Sequence, residues 1–174
     1  MNMKKTIGMA LFLVMLFAVY MAIGDDMATK STNWRDITLK DVKTGRTFKV
    51  ADFNGKPIIL ETFAVWCPTC TKQQREIKKL HSEIGDEFVS ITLDVDPNES
   101  EKQVKEHLKR NGFDWLYAVA PPEFTKLLID EFGTIIVNAP AAPVVIIDEN
   151  GDARLLGRGV KSAQKLKAEL KKRG

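Results

Sequence analysis

The residues most suited to carry out a chemical reaction are the only two cysteines of the chain, Cys67 and Cys70. They stand in the run Trp66-Cys67-Pro68-Thr69-Cys70. A disulfide between cysteines so close in sequence closes a very small loop, so it restricts the unfolded chain little and cannot hold a fold together. A pair at this spacing therefore indicates redox chemistry or metal binding rather than a structural cross-link.

Cys67 occupies the position that favours a reactive thiolate. A buried strand at 57–63 ends just before it, and a helix begins just after it. The free N–H groups and the dipole of a helix N-terminus stabilise negative charge and lower a thiol pKa. Pro68 suits the first helical turn, and Trp66 provides an apolar surface beside the sulfur. We expect Cys67 to be the exposed attacking thiol and Cys70 to be the buried thiol that resolves the mixed disulfide.

Glu61 is the one charged residue in the otherwise apolar run 57–63, six residues before Cys67. Burying a carboxylate without a partner is costly, so burial should raise its pKa. Such a carboxyl group could take a proton from the second thiol and return it later. Alternatively, Glu61 points to solvent at the sheet edge. The alternation of side chains between the two faces of a strand is compatible with this second interpretation.

Pro143 is the next candidate, because it immediately precedes the apolar run 144–147. A proline in trans can stand at the start of a strand for purely structural reasons. Pro140 competes with it for any special role, but only Pro143 abuts the strand directly.

The elements that must position these residues alternate between strands and helices. Alternation predicts parallel strand pairing in the middle of an α/β fold, and a closing hairpin adds antiparallel strands to a mixed central sheet flanked by helices. In order, the predicted elements are a hairpin at 37–50, a strand at 57–63, a helix to about 84, a strand at 88–94, a helix from about 100 ending at Asn111-Gly112, a strand at 115–119, a helix from Pro121-Pro122 to Gly133, a hairpin at 144–156 and a helix capped by Ser162.

Residues 1–24 differ from the remainder of the chain. Lys4 and Lys5 precede an apolar run at 7–23 that is longer than the 7–15 residues typical of a signal peptide and close to the length of a membrane-spanning helix. We favour an uncleaved signal-anchor over a cleaved signal peptide. In either case the lysines predict that everything from residue 25 onward lies outside the cytoplasm.

The domain boundaries follow from that segment. Residues 25–36 are predicted to be a polar tether and 37–174 the globular domain. No cysteine follows the apolar run immediately, which excludes a lipoprotein anchor. The formal charge of +3 is too small to argue for nucleic-acid binding, and the Lys-rich C-terminal end reads as a solvated helix face.

The run from Phe63 to Cys70, with the lead-in at 52–57, resembles the membrane-anchored, extracytoplasmic thioredoxins of the TlpA/ResA type. The resemblance covers about residues 34–172. It implies a thioredoxin-like fold with an N-terminal β-hairpin and a helix–strand insertion around 96–119. It also implies thiol–disulfide exchange with Cys67 as nucleophile, Cys70 as resolving cysteine and Glu61 as the buried acid.

The same resemblance implies that Pro143 is a cis-proline lying against the disulfide, with Ala142 offering backbone groups to an extended substrate peptide. Trp66 and Pro68 would border the substrate. The implied partners are protein thiols and disulfides and a membrane electron-donor protein, with no cofactor. Ala142 replaces a common Thr, and Ala64 replaces a usual aromatic residue in the motif strand.

Other functions remain open at this point. Zinc or copper binding could use Cys67 and Cys70 with histidine, but the spacing to His81 and His107 is wrong for compact zinc modules. We expect His81 near the core and His107 on a helix surface. A peroxiredoxin needs Thr or Ser three residues before its cysteine, where this chain has Ala64. A redox-inactive adaptor is disfavoured because both cysteines are present.

The residues between the two cysteines bear on the direction of electron flow. Pro68-Thr69 lacks the histidine typical of strongly oxidising members of the family, which favours a reductant. Cytochrome c maturation and the reduction of envelope disulfides are the roles that the resemblance implies.

Overall fold

A mixed five-stranded sheet lies at the centre of the protein, and a separate two-stranded hairpin precedes it. The structure is a computed structural model and describes residues 33–172. The strands are β1 Leu39–Lys40, β2 Thr47–Phe48, β3 Ile58–Phe63, β4 Val89–Asp94, β5 Leu116–Val119, β6 Val144–Ile147 and β7 Ala153–Leu155.

The strand order in the large sheet is β5-β4-β3-β6-β7, which places β3 in the middle. It pairs in parallel with β4 and antiparallel with β6, and β4 pairs in parallel with β5. The closing hairpin β6–β7 is antiparallel. The predicted mixed sheet is therefore confirmed, and the β1–β2 hairpin is present as expected.

Within residues 33–172, four α-helices flank the sheet, and their ends match the residues that predicted them. Ser162 accepts a hydrogen bond from the Lys165 N–H, and Gly112 ends its helix in the left-handed conformation. Pro122 is the first residue of its helix and Gly133 follows the last. The helices are α1 Pro68–Ile84, α2 Glu101–Asn111, α3 Pro122–Phe132 and α4 Ala163–Leu170.

The two faces of β3 bury different partners. Ile58 and Leu60 pack in the same cluster as α3, whereas Ile59 packs in a cluster with α1 and α4. Successive side chains of a strand point to opposite faces, so Glu61 shares the face of Ile59. Glu61 therefore faces the side of the sheet on which α1 begins with the cysteine motif.

The folded domain begins earlier than predicted. Trp34 starts a short 3₁₀ helix, Trp34–Asp36, and is 2 % exposed. Its ring meets Phe124 edge-on at a centroid distance of 5.7 Å, and its indole N–H donates to Glu131 at 2.6 Å. Residues 34–36 thus belong to the domain rather than to the predicted tether at 25–36, because Trp34 fills an apolar gap beside α3.

Residues 134–142, which we call the 134–142 segment, form a feature that the sequence analysis did not anticipate. Two short 3₁₀ helices, Thr134–Val137 and Ala139–Ala141, connect α3 to β6. The Thr62 hydroxyl donates to the Ile136 carbonyl, and the Gly159 N–H donates to the Ala141 carbonyl at 2.9 Å. These bonds hold the segment to the sheet and to the loop before α4.

The predicted anchor or signal peptide at 1–24 lies outside the described residues. Within residues 33–172, none of the helices combines the length and apolar character needed to cross a membrane.

Candidate active site

The two cysteines form a disulfide at the N-terminus of α1, with their Cα atoms 5.4 Å apart. Cys67 is the N-cap residue, and its sulfur accepts the N–H of Cys70 at 3.1 Å. Pro68 is the first helical residue, as predicted. The Cys70 N–H, which has no partner within the helix, would therefore stabilise Cys67 as a thiolate.

Both cysteines are buried, which contradicts the expectation that Cys67 is exposed. Cys67 is 1 % and Cys70 0 % exposed. The sulfur of Cys70 lies 3.1 Å from the carbonyl oxygen of Ala139, and both cysteines share a packed cluster with Ala139 and Phe63. The 134–142 segment is the physical reason for the difference, because it packs against the disulfide from a distant part of the chain.

Ala142 and Pro143 also differ from expectation. The peptide bond between them is trans, as are the others in the described residues, and Ala142 has a left-handed backbone with φ 47°. The Ala142 N–H donates to the Ala139 carbonyl at 2.8 Å. The Ala142 carbonyl accepts a hydrogen bond from Lys161 Nζ at 2.5 Å. Ala142 is fully buried, so neither backbone group is open to an extended substrate.

Trp66 and Pro68 lie on the surface beside the disulfide. Trp66 is 59 % exposed, although its indole N–H donates to the Asp96 carboxylate at 2.7 Å. The N–H of Val65 donates to Glu99 at 2.6 Å. Two carboxylates that follow β4 thus hold the loop immediately before Cys67.

The sequence did not point to these carboxylates. The pKa values of Asp96 and of the neighbouring Asp94 shift in opposite directions. Hydrogen bonds from the Asn98 N–H and from Trp66 lower the pKa of Asp96. Burial raises the pKa of Asp94, at the end of β4, to about 7, with the nearby Glu99 adding to the rise. The turn sequence around Asp96-Pro97 predicted only a helix start.

Glu61 is fully buried in the middle of β3, which excludes the solvent-facing interpretation. It stands opposite Thr92 on β4 and Val144 on β6. The Thr92 hydroxyl donates to one carboxylate oxygen at 3.3 Å. Burial raises the pKa of Glu61 well above its ordinary value, while Thr92, Gln74 and Lys161 offset part of the rise. The predicted direction of the pKa change is confirmed.

Gln74 and His107 extend this buried polar group. His107 was expected on a helix surface, but it is 2 % exposed, with Nε2 2.7 Å from Oε1 of Gln74. Burial, and secondarily the charge of Arg110, lower the pKa of His107 to about 4, so the ring is neutral at physiological pH. A neutral His107 donating to Gln74 Oε1 leaves the amide nitrogen of Gln74 available to Glu61.

Lys161 is the buried cation of the site, and nothing in its sequence context pointed to it. It is 6 % exposed. Its N–H donates to Gln73 Oε1 at 2.7 Å, and its carbonyl accepts from Gln73 Nε2 at 3.1 Å. Burial lowers the pKa of Lys161 to about 8, and the charge of Glu61 acts in the opposite direction.

The structure does not assemble the alternative metal sites. His81 lies 2.9 Å from the Ser90 hydroxyl and stacks on Phe88, with ring centroids 4.4 Å apart. Among residues 33–172, no group of three or more His, Cys, Asp or Glu side chains could hold a metal ion. Ala64, at the position where a peroxiredoxin needs a hydroxyl, is buried and offers none.

Comparisons with known proteins agree with this site. The Redoxin family model matches residues 28–170. Over 131 residues the chain is 27 % identical to the thiol-disulfide oxidoreductase ResA of Bacillus thuringiensis subsp. konkukian, covering 74 % of this chain and 69 % of ResA. The extent of the family match establishes membership.

Solved structures show the same fold. An exposed lipoprotein thioredoxin from Streptococcus pneumoniae strain TIGR4 is 25 % identical with a TM-score of 0.60, covering 78 % of this chain and 97 % of that one. A secreted thiol-disulfide isomerase from Corynebacterium glutamicum is 16 % identical with a TM-score of 0.64, covering 78 % and 81 %. The chain therefore belongs to the Redoxin family and is a thioredoxin-like thiol-disulfide oxidoreductase of the TlpA/ResA type.

Proposed function

We propose that this protein reduces disulfides in other proteins outside the cytoplasm, with Cys67 as the nucleophile, Cys70 as the resolving cysteine and Glu61 as the proton acceptor. The observation that carries the proposal is the placement of the disulfide: Cys67 caps α1 and accepts the Cys70 N–H. The buried Glu61 lies on the face of β3 that packs against the same helix.

The first step is nucleophilic. In the reduced enzyme the Cys67 thiolate attacks one sulfur of a substrate disulfide, forming a mixed disulfide, and the other substrate sulfur leaves as a thiolate that takes a proton from solvent. The helix N-terminus stabilises the Cys67 thiolate before the attack.

The second step releases the product. Glu61 accepts the proton of the Cys70 thiol, and the resulting thiolate attacks the Cys67 sulfur of the mixed disulfide. The substrate sulfur leaves as a thiolate and is protonated. The substrate disulfide has then gained two electrons and two protons, and the enzyme ends with the Cys67–Cys70 disulfide. An electron-donor protein, in our proposal a membrane protein, restores the dithiol.

Substrates approach from the side of Trp66. Trp66 and Val160 are large apolar side chains that remain exposed, at 59 % and 42 %. Val160 precedes Lys161, whose ammonium group contacts Ala142. Trp66 and Pro68, beside the disulfide, offer an apolar surface for the polypeptide around the target cysteine. Because Cys67 is only 1 % exposed in this disulfide-bonded form, a substrate reaches its sulfur only after local movement around the disulfide.

The proposal also covers the direction of electron flow and the cellular location of the reaction. Pro68-Thr69 favours a reductant, and haem-binding cysteines of c-type cytochromes or other envelope disulfides are the substrates we propose. The residues at 1–24 would anchor the protein, with the domain outside the cytoplasm. The solved structure described as an exposed lipoprotein thioredoxin supports an extracytoplasmic location.

Trapping tests the cysteine roles. Cys70→Ser should accumulate mixed disulfides with substrate proteins, because Cys67 can attack but no second thiol can resolve the product. Cys67→Ser is the matched control and should trap none. If Cys67→Ser traps partners and Cys70→Ser does not, the assignment is reversed.

The reduction potential tests the direction, and fractionation tests the location. A potential near about −270 mV indicates a reductant, whereas one near about −120 mV indicates an oxidant. In fractionated cells, an anchored protein should stay with the membrane and be cut by protease added to spheroplasts. A soluble form starting near residue 25 would show a cleaved signal peptide, and protection from protease would refute the orientation.

A further inference from the structure

Lys161 lies inside the redox site, yet the proposed reaction gives it no part. Only 6 % of its surface is exposed, and both its backbone groups are bonded to the fully buried Gln73, which follows Cys70 by three residues on α1. A loop residue is thus tied to the helix that carries the cysteines. This connection sets the position of the Lys161 side chain relative to the disulfide.

The ammonium group of Lys161 connects two parts of the site. It donates to the carbonyl of Ala142 at 2.5 Å, at the end of the 134–142 segment. That same segment places the Ala139 carbonyl 3.1 Å from the Cys70 sulfur. Removing Lys161 would leave the Ala142 carbonyl buried without its donor, which is unfavourable.

The charge of Lys161 also acts on Glu61. The Glu61 carboxylate raises the pKa of Lys161, and Lys161 lowers the pKa of Glu61, so the two groups interact in both directions. Two opposite charges that share a poorly solvated site each offset part of the other's desolvation. Without the ammonium group, ionised Glu61 would keep the larger pKa-lowering effects of Thr92 and Gln74 but would lose the favourable charge of Lys161.

We propose that Lys161 is a positioning residue of the redox site, which holds the Ala142 carbonyl and thereby the 134–142 segment, and whose charge keeps Glu61 able to accept the Cys70 proton at neutral pH. This inference rests on the proposed role of Glu61. It assigns to Lys161 no contact with substrate and no bond to sulfur.

Other titrating groups around Glu61 behave differently over the useful pH range. Burial raises the pKa of Tyr117 well above its ordinary value, with Glu61 adding to the rise, so its hydroxyl stays neutral. His107, with a pKa of about 4, is also neutral. Asp94, with a pKa of about 7, does titrate, and Asp94→Asn identifies its contribution to any profile. The two thiols are common to all variants, so a difference caused by Lys161 should be separable.

The experiment measures exchange between the reduced full-length protein and a small aromatic disulfide by stopped flow between about pH 6 and 9, a range that brackets the ordinary thiol pKa. The variants are Lys161→Met, Lys161→Arg, Glu61→Gln and the double variant. Lys40→Met is the matched control, because Lys40 is an exposed lysine that pairs with Glu101.

Lys161→Met should react about threefold more slowly than the parent at pH 7, a factor that corresponds to about half a unit of pKa in the proton acceptor. The deficit should shrink towards pH 9, because Lys161 of the parent, with a pKa of about 8, has by then lost its charge. In the Glu61→Gln background the same substitution should lose the pH-dependent part of its effect, since the coupled group is absent.

A loss of equal size at every pH, or an equal loss with and without Glu61, would overturn the inference and leave Lys161 a purely structural residue. If Lys161→Met does not fold, Lys161→Arg decides the matter. Arginine keeps its charge throughout this range, so its profile should retain a high rate at pH 7 and lack the parent's change near pH 8. A parent without cysteine-dependent exchange would instead refute the proposed function, which separates the two failures.

Discussion

Glu61 and Glu169 are both buried glutamates, but the protein surrounds them with different groups. Glu61 lies in the central strand and is 0 % exposed, with one hydrogen bond from Thr92 at 3.3 Å and a smaller pKa-lowering effect from Gln74. Glu169 lies on α4 and is 4 % exposed. Arg154, Lys165 and Lys172 pair with it at 2.5, 2.7 and 2.9 Å.

The consequence appears in their proton affinities. Burial dominates at Glu61 and raises its pKa, whereas hydrogen bonds from Lys165 and Lys172, with Arg154 contributing less, lower the pKa of Glu169 to about 2. A carboxyl group that must move a proton gains from weak pairing, because both protonation states then stay accessible. A carboxylate that joins α4 to β7 gains from strong pairing. The same side chain thus serves chemistry at one site and stability at the other.

The largest effect should follow from Glu61→Gln, which keeps the shape and removes the proton acceptor. We expect disulfide exchange at neutral pH to slow by about ten- to a hundredfold, while the stability of the fold rises or stays unchanged because a poorly paired carboxyl is gone. Stopped-flow exchange across pH measures the rate, with the exposed Glu101 mutated to Gln as control. A rate equal to the parent's at every pH would exclude Glu61 as a proton acceptor.

Glu169→Gln should show the opposite pattern. It removes a carboxylate with three cationic partners, so the free energy of unfolding should fall by about 2 kcal/mol, and the exchange rate should stay within about twofold of the parent. Urea unfolding and stopped-flow exchange measure the two quantities. A slowed exchange with unchanged stability would mean that Glu169 acts on the redox site instead.

The pH dependence of stability should distinguish the same two groups. The folded pKa of Glu169 is depressed below its ordinary 4.5, so its contribution is present above about 4.5 and is lost as the pH falls towards 2. The folded pKa of Glu61 is raised, so its contribution is full below 4.5 and declines as the pH rises towards the folded value.

Unfolding at a series of pH values measures these slopes. Glu169→Gln should flatten the acid side of the stability profile. Glu61→Gln should gain stability relative to the parent as the pH rises above about 4.5, the ordinary carboxyl value. Identical profiles for the parent and both variants would contradict the assigned environments.

The smallest effect is expected for Thr92→Val, which keeps the side-chain shape. It removes the hydroxyl that donates to Glu61 and that accepts the Trp115 indole N–H at 2.9 Å. Since this hydrogen bond lowers the pKa of Glu61, its loss should favour the neutral acid and slow exchange at pH 7 by about threefold, the lower end of what one hydrogen bond contributes. Ser90→Ala, on the same strand, is the control, and an equal effect from both would argue for a general disturbance of β4.

The sequence by itself determined the parts of this protein that depend on neighbours along the chain. The cysteine spacing and Pro68 located the start of α1, and Gly112 and Ser162 marked helix ends, because caps and first turns are formed by adjacent residues. Alternating strands and helices predicted the mixed sheet. The burial of Glu61 was predictable because it interrupts a run whose other members are apolar.

Tertiary structure alone decided the features that join distant segments. Gln73 and Lys161 are 88 positions apart, and the Ala139 carbonyl reaches Cys70 across 69. These contacts bury Cys67, engage the backbone of Ala142 and place a cation beside Glu61. A lysine before a helix cap reads as solvated when only its sequence neighbours are considered. Burial and pairing across the fold set the chemistry of such groups, because desolvation and hydrogen bonds depend on which atoms the folded chain brings together.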